Sequence, residues 1–113
     1  MNSFASLSPN TIITIAGVGY HTGIPAAEAD AGWPMGVVRR RDGDLIVVDY
    51  HAHRLWRIDA NGILHAFAGD GVPGNSGDGG PAREARFYWP HDLTQDRHGN
   101  LYLSDLGNQV IRR

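Results

Sequence analysis

Cysteine is absent from this 113-residue chain. Its absence excludes a disulfide framework, a thiol nucleophile and a cysteine-ligated zinc site, and it leaves the cellular compartment undetermined. Residues 1–10 lack both the positively charged start and the apolar run of a signal peptide, and no stretch approaches the length of a membrane span. We therefore expect a soluble protein, assigned to the cytoplasm only by default.

A basic surface is also missing, because the formal net charge is −2. Nucleic-acid binding through a general positive field is thereby disfavoured. The only basic run, Arg39–Arg41, falls at a predicted hairpin turn, where solvated side chains are more usual than phosphate contacts. The 15 glycines and 6 prolines, with 42% hydrophobic residues, indicate a turn-rich globular chain rather than disorder or collagen.

Short runs with the alternation of β-strands recur along the chain, separated by turn residues. Glycines at Asp42-Gly43 and within Asp96–Gly99 suit tight hairpins, which need a residue that tolerates positive φ. Strands joined so closely pair antiparallel. We predict strands at Thr11–Ala16, Pro34–Arg39, Asp44–Asp49, Arg54–Ile58, Ile63–Ala68, His91–Gln95 and Asn100–Asp105, with another beginning at Val110.

An internal repeat is the most informative feature of the sequence. Pro25–Arg57 aligns with Pro81–Arg113 at a constant offset of 56 residues, with 11 identities in 33 positions and no gap. Trp33 and Trp89 are one of the identical pairs. A repeat of this length built from strands predicts a propeller blade or a solenoid coil.

The second unit carries a series of specific motifs. Phe67–Arg113 contains an AGDG start, the loop SGDGGPA, the turn and strand DRHGNLYLSD and the ending NQVIRR. This series resembles an NHL repeat of the bacterial type; the first unit is a looser match, lacking the SGDGG insert and having Ala52 in place of Asn108. The resemblance implies a β-propeller, usually six-bladed, that binds proteins, RNA, glycans or small ligands, with some relatives acting as lyases or lactonases.

We therefore predict an all-β fold, namely a β-propeller segment of two four-stranded antiparallel blades within a six-bladed ring. A polar leader at 1–10 precedes the propeller segment at 11–113, which comprises a closing outer strand at 11–16, blade one at 33–68 and the first three strands of blade two at 89–113. Two blades cannot close a ring, since propellers have about four to eight. The other blades would come from a longer chain, which we favour, or from a homotrimer whose copies exchange their first strands.

His91 is the leading candidate for a functional residue. It starts the innermost strand, where a propeller directs side chains toward the mouth of its channel. Pro90–Leu93 resembles the setting of the zinc-binding channel histidines in propeller lyases that cleave peptidyl-hydroxyglycine; three such ligands would leave one coordination position open. Met35 takes the equivalent place in the first unit, so the other ligands would come from other blades. The competing roles for His91 are a rim residue that only packs, or a ligand contact together with Met35, Asp92, Trp33 and Trp89.

Two further segments have both functional and structural interpretations. His51 and His53 have the spacing of a metal-chelating pair, but the repeat places them in the turn between two strands. In the glycine-rich loop, backbone amides can cradle an anion, and Asp70 and Asp78 can hold calcium. We favour a tight crossing between blades, in which Asp78 bonds backbone amides and the glycines Gly77, Gly79 and Gly80 permit the turn.

Structural roles are predicted for the residues that end the second strand of each unit. Asp49 and Asp105 are expected to fix the following turns by accepting hydrogen bonds from backbone amides or from an arginine such as Arg54. Asn108 is expected to bond the backbone of its own turn. Trp33 and Trp89 are expected to pack between blades before they serve as ligand platforms.

These features favour a binding scaffold that presents its loop face and channel mouth to a protein or a small ligand. The alternative function is a metal-assisted lyase or hydrolase centred on His91, with zinc or calcium as the candidate cofactor. No membrane partner is expected. Nucleic acid ranks third, because it would require Arg39–Arg41 to converge with Arg83 and Arg86.

Overall fold

Seven β-strands form two antiparallel sheets in a computed structural model that describes residues 10–12, 23, 25 and 32–113. The first sheet has the order β1-β2-β3-β4 and the second the order β5-β6-β7. The bounds are β1 Pro34–Arg39, β2 Leu45–Asp49, β3 Arg54–Ile58, β4 Leu64–Ala68, β5 Pro90–Gln95, β6 Leu101–Asp105 and β7 Val110–Arg112, with 3₁₀ turns at Ala82–Glu84 and Leu106–Asn108.

The predicted all-β, antiparallel fold is confirmed. Each of the seven strands begins within one residue of the position expected from sequence alternation. Among the described residues, none lies in a helix long and apolar enough to cross a membrane.

Turn chemistry explains why consecutive strands pair as hairpins. Between β1 and β2, Gly43 has a φ of 94°, and the Asp42 carboxylate accepts a hydrogen bond from the amide of Asp44 at 2.9 Å. Between β5 and β6, Gly99 has a φ of 85°, and its amide donates to the carbonyl of Asp96 at 3.1 Å. Glycine adopts such angles without the strain that a Cβ would cause, so both turns close tightly.

The first hairpins of the two sheets repeat the same pairing. β1 and β2 pair from Pro34 opposite Asp49, with a bulge before Gly36. β5 and β6 pair from Pro90 opposite Asp105, with a bulge at the equivalent place. The register of both hairpins therefore follows the repeat in the sequence.

Hydrogen bonds join equivalent positions of the two sheets directly. The side-chain amide of Gln95 donates to the carbonyl of Arg39 at 3.0 Å, and the guanidinium of Arg41 donates to the carbonyl of Arg97. Both pairs are separated by 56 residues, the offset of the repeat, and β1 lies against β5. Copies of one unit placed side by side with their first strands in contact fit a segment of a β-propeller.

A hydrophobic core fills the space between the sheets. The first sheet contributes buried side chains from β2, β3 and β4, and the second sheet and the segment before it supply their partners. The buried members are Ile46, Val48, Leu55, Ala68, Ala85, Phe87, Leu93 and Leu103. Burial of each large apolar side chain contributes about 1.5–3 kcal/mol, so this core fixes the two sheets against each other.

The opposite face of the first sheet is buried as well. Val47, Trp56, Ile58 and Leu64 form a second apolar cluster there. Because successive residues of a strand point to opposite faces, β2 is covered on both sides. This double burial explains why its sequence is continuously apolar instead of alternating.

Only part of the predicted N-terminal strand can be compared with the structure. Thr11–Ala16 lies outside the described residues except for Thr11 and Ile12, which are not in a strand. Ile63, the residue before β4, forms an isolated antiparallel bridge with Pro25.

Candidate functional site

One end of the two sheets carries a group of rings that we call the aromatic cluster. The pairings Pro34 with Asp49 and Pro90 with Asp105 place the starts of β1 and β5 at the same end as the β2–β3 turn. The residues that flank these points are therefore gathered together. The aromatic cluster consists of Trp33, Tyr50, His51, His53, Tyr88, Trp89 and His91.

The rings stack continuously across the boundary between the two units. Trp33 and Tyr50 are parallel within 4° at a centroid distance of 6.1 Å, and Tyr50 stacks on Trp89 at 4.8 Å. His53 lies 4.6 Å from Trp89 and stacks within 6° on Tyr88 at 5.7 Å. Aromatic pairs of this kind contribute about 0.5–1.5 kcal/mol beyond their buried area. The stack therefore joins the units rigidly at this end.

Part of the aromatic cluster is open to solvent. Trp33 is 60% exposed and Tyr88 is 40% exposed. The imidazoles of His51 and His91 are exposed too, and His51 lies 5.5 Å from Trp33. The ring of Trp33 is thus held by Tyr50 and is open to solvent, which is a feature of many interaction surfaces.

Trp89 has an unusual backbone conformation. Its φ of 50° lies in the left-handed region, which bulky residues rarely adopt. Its amide donates to Nδ1 of His53 at 3.0 Å, and the preceding amide, of Tyr88, donates to the Asp105 carboxylate at 2.8 Å. Such strain costs on the order of 1–3 kcal/mol and persists only where the surroundings enforce it, often at functional sites.

His53 couples the two units electrostatically as well as by stacking. The residue is buried, and its Nδ1 accepts a hydrogen bond from the second unit, which requires a form without a proton on that nitrogen. Burial lowers the pKa of His53, and the charge of His51 lowers it further, against the opposing effects of Asp49 and Asp105. His53 is therefore neutral at pH 7.

Asp49 anchors the aromatic cluster from the end of β2. Its fully buried carboxylate accepts hydrogen bonds from the amides of Trp33 at 3.3 Å and Ala52 at 3.0 Å, and from Nε1 of Trp56 at 3.1 Å. Within residues 32–113, Arg54 is not among its hydrogen-bond donors; the guanidinium lies over the ring of Trp56 instead.

Asp105 plays the matching role in the second unit. It is also fully buried, and it accepts hydrogen bonds from the amide of Tyr88 and from Nδ2 of Asn108, both at 2.8 Å. The same Asn108 nitrogen donates to the carbonyl of Gly74 at 2.8 Å, so this side chain ties the turn after β6 to the glycine-rich loop.

The structure places some of the predicted ligand-binding residues in the aromatic cluster, and the others are on the adjoining strands. Trp33, Trp89 and His91 belong to the aromatic cluster, where His91 meets Tyr50 edge-on at 6.3 Å. Met35 is 43% exposed on β1, and Asp92 is exposed on β5 and accepts a hydrogen bond from the next amide in the chain.

Sequence reasoning missed two members of the aromatic cluster, Tyr50 and Tyr88. Tyr50 directly follows Asp49 at the end of β2, and Tyr88 directly precedes Trp89. Because strand starts and the β2–β3 turn share one end of a blade, these neighbours were the signal that could have found both rings.

The histidines predicted as metal ligands have different surroundings. His51 is exposed, whereas His53 is buried with its Nδ1 bonded to Trp89. Among the described residues, no three His, Asp or Glu side chains lie close enough together to hold a metal ion.

The glycine-rich loop, residues 69–80, lines a cavity of about 370 Å³ between the sheets through Gly77, Asp78, Gly79 and Gly80. Gly77 has a φ of 100°, and a Cβ there would lie 2.7 Å from the Cα of Ala85. Asp78, for which we predicted bonds to backbone amides, pairs with Nε of Arg112 at 2.9 Å. The glycine thus permits a close crossing, and the carboxylate holds the loop on β7.

Comparison with known proteins supports the fold assignment. No family model matches the chain, and no curated protein matches it. It is similar to the crystal structure of a structural genomics protein of unknown function from Bacteroides thetaiotaomicron VPI-5482, with a TM-score of 0.69 and 26% identity over 76% of this chain. The match spans 22% of the length of that protein. The similarity supports the all-β fold and leaves the function to be argued from the site.

Proposed function

We propose that this chain is a segment of an NHL-type β-propeller that serves as a binding scaffold and contacts its partner or ligand through the aromatic cluster. The observation that carries the proposal is the exposed ring of Trp33, supported by Tyr50 and joined through the stack to the strained Trp89. Motif resemblance and the side-by-side placement of the two units support the propeller assignment.

The chemistry of the aromatic cluster favours binding over catalysis. Its exposed groups are flat apolar rings and the imidazoles of His51 and His91. Rings bind by stacking, and imidazoles at their edge can donate or accept hydrogen bonds. A ligand with a flat apolar face and polar edge groups, such as a sugar ring or an aromatic side chain of a partner, suits this arrangement.

A nucleic-acid surface is less well supported, because the basic run at Arg39–Arg41 lies away from the aromatic cluster and Arg86 is neutralised by an aspartate. Arg39 pairs with Leu45, at the end of the first sheet opposite the aromatic cluster. β1 separates the two ends by about 17 Å at about 3.3 Å per residue. Arg86 is already paired with Asp70 at 2.8 Å. We therefore favour a protein or a small uncharged ligand.

For the assembly, we propose that further blades complete the ring. They would come from a longer chain or, in a homotrimer, from two other copies. The supporting observation is that β7 pairs only with β6 among the described residues, while Val110 and Ile111 are 39% and 67% exposed on it. An edge of this kind is suited to pair with another strand.

Saturation-transfer NMR with three small probes tests the binding site. Indole, phenol and methyl β-D-glucopyranoside represent an aromatic heterocycle, a partner's side chain and a sugar. We expect at least one probe to receive magnetisation from the protein and to lose that signal in Trp33→Ala. Ile111→Ala, which removes an exposed apolar side chain from β7, should retain the signal. If no probe responds, or if Trp33→Ala responds like Ile111→Ala, the aromatic cluster is not the binding site.

A further inference from the structure

Arg54 is a cation that no carboxylate of the described residues contacts directly. Among the described residues its guanidinium has no ion pair or hydrogen bond, and its Nε is the one buried side-chain polar atom there that lacks a partner. By contrast, Arg57, Arg86 and Arg112 each pair with an aspartate at 2.8–3.0 Å. A buried donor without an acceptor is costly and points to a missing partner.

Packing holds the Arg54 guanidinium in a defined orientation. Its central carbon lies 4.3 Å from the centre of the Trp56 ring. Trp56 is itself buried and bonded through Nε1 to Asp49. A guanidinium stacked on an aromatic ring keeps its donors directed from its edge, which is the geometry that receives an oxyanion through two hydrogen bonds.

The start of the glycine-rich loop passes directly beside this guanidinium. Gly71 has a φ of 85°, and a Cβ there would lie 3.5 Å from Nη1 of Arg54. At Gly69, a Cβ would lie 2.9 Å from the carbonyl oxygen of His53. The loop backbone therefore passes close to Arg54 without a side chain in between.

A second cation lies near the same place. The amide of Gly69 donates to the carbonyl of Ala82 at 2.9 Å, which brings the 3₁₀ turn containing Arg83 next to the loop. Burial lowers the pKa of Arg54 and the positive charge of Arg83 lowers it further, whereas the charges of Asp49 and Asp70 raise it. Arg83 has no ion pair among the described residues, and its charge repels that of Arg54.

The nearest carboxylates are already engaged elsewhere. Asp49 accepts bonds from two amides and from the indole of Trp56. Asp70 is paired with Arg86 and also accepts the amide of Val72 at 2.9 Å. Both charges favour the protonated guanidinium of Arg54, but neither carboxylate forms a hydrogen bond or an ion pair with it, so its donors are left without an acceptor.

We propose that Arg54 and Arg83, with the open backbone at Gly71, form a binding site for an oxyanion, either a phosphate or a carboxylate group of a ligand. The anion would accept hydrogen bonds from Arg54 and screen the repulsion between the two guanidinium groups. This site is separate from the aromatic cluster and does not depend on the proposed function.

NMR titration of the whole chain tests the site directly. Inorganic phosphate and sodium acetate are added separately at constant ionic strength, with chloride as the reference, while the Nε–H signal of Arg54 and the amide of Gly71 are followed. We expect both signals to shift and saturate with at least one anion, and the anion that saturates them identifies the preferred class. Equal, unsaturating shifts with phosphate, acetate and chloride would overturn the proposal.

Variants separate specific binding from general charge. Arg54→Lys keeps the charge but loses the fork of donors, and we expect about tenfold weaker binding, the equivalent of one charge-assisted hydrogen bond. Arg83→Gln, at an exposed position, should also weaken binding. Arg97→Gln removes the same charge at an exposed turn on the other end of the sheets and should have no effect. If Arg97→Gln weakens binding as much as Arg83→Gln, the anion is attracted by net charge alone.

Discussion

His53 is the residue through which the two units are most directly coupled. It belongs to the first unit, yet its Nδ1 accepts the amide hydrogen of Trp89 from the second. Protonation of that nitrogen would replace this hydrogen bond with a repulsive contact between two N–H groups. The state of one imidazole therefore influences both the strained backbone at Trp89 and the stack above it.

We predict that the free energy of unfolding falls as the pH drops below about 6.5. Burial lowers the pKa of His53 in the folded chain below its usual 6.5, so the unfolded chain takes up the proton first. The stabilisation is complete above the unfolded pKa and is lost as the pH falls from there through the folded pKa. Urea unfolding midpoints between pH 7.5 and pH 5, followed by tryptophan fluorescence, measure the effect.

Two histidine variants identify the source of this pH dependence. His53→Gln should reduce the loss of stability over this range, whereas His98→Gln, at an exposed turn, should leave it unchanged. A pH dependence of the same size in His53→Gln and the unaltered chain would assign it to other groups.

At the level of elements, the ends of β2 and β6 are fixed by aspartates instead of by apolar contacts. Each buried carboxylate collects donors from the turn that follows its strand and from the segment that enters the first strand of the same unit. This arrangement holds three segments of one blade at the end where the aromatic cluster lies. Its repetition in both units makes it part of the blade's construction.

We predict that Asp105→Ala destabilises the fold by about 3–5 kcal/mol, because it leaves donors of Tyr88, Asn108 and Arg112 without their buried acceptor. Asp78→Ala is the matched control, since Asp78 is the other aspartate that pairs with Arg112 but its side chain is 91% exposed. Exposed ion pairs contribute about 0–1 kcal/mol. Chemical denaturation measures both, and equal losses would contradict a special role for the buried carboxylate.

At the scale of the whole molecule, the outer edge of β7 has no strand partner among the described residues. The first sheet has four strands, and the second presents the outer side of β7, with Ile111 exposed. The cavity between the sheets opens beside this strand and is lined by Arg112 and Arg113. Edges of this type pair readily with other strands.

We predict that the 113-residue chain self-associates in solution through β7. Light scattering coupled to size exclusion should give a mass above 12.3 kDa that increases with concentration, and a mass three times as large would support the trimer. Ile111→Lys should shift the population to the monomer, because a charge on an edge strand opposes pairing. The control Val72→Lys places the same charge at an exposed loop position. A monomer at every concentration would contradict the prediction.

Local chemistry in the sequence determined the strands, the hairpin turns and the repetition of the unit. Alternation and turn glycines such as Gly43 and Gly99 act over a few residues, so they can be interpreted without knowing the fold. The continuous apolar run of β2 is likewise a local pattern, typical of a strand that is buried on both faces.

The tertiary structure alone decided which side chains meet. The stack of Tyr50 on Trp89 and the bond from Trp89 to His53 link residues more than 35 positions apart, and no local periodicity specifies such pairs. Arg54, expected to bond Asp49, lies on Trp56 because the buried carboxylate is already filled by two amides and an indole. Partners of polar groups depend on competition in three dimensions, whereas strand formation depends mainly on neighbours in the chain.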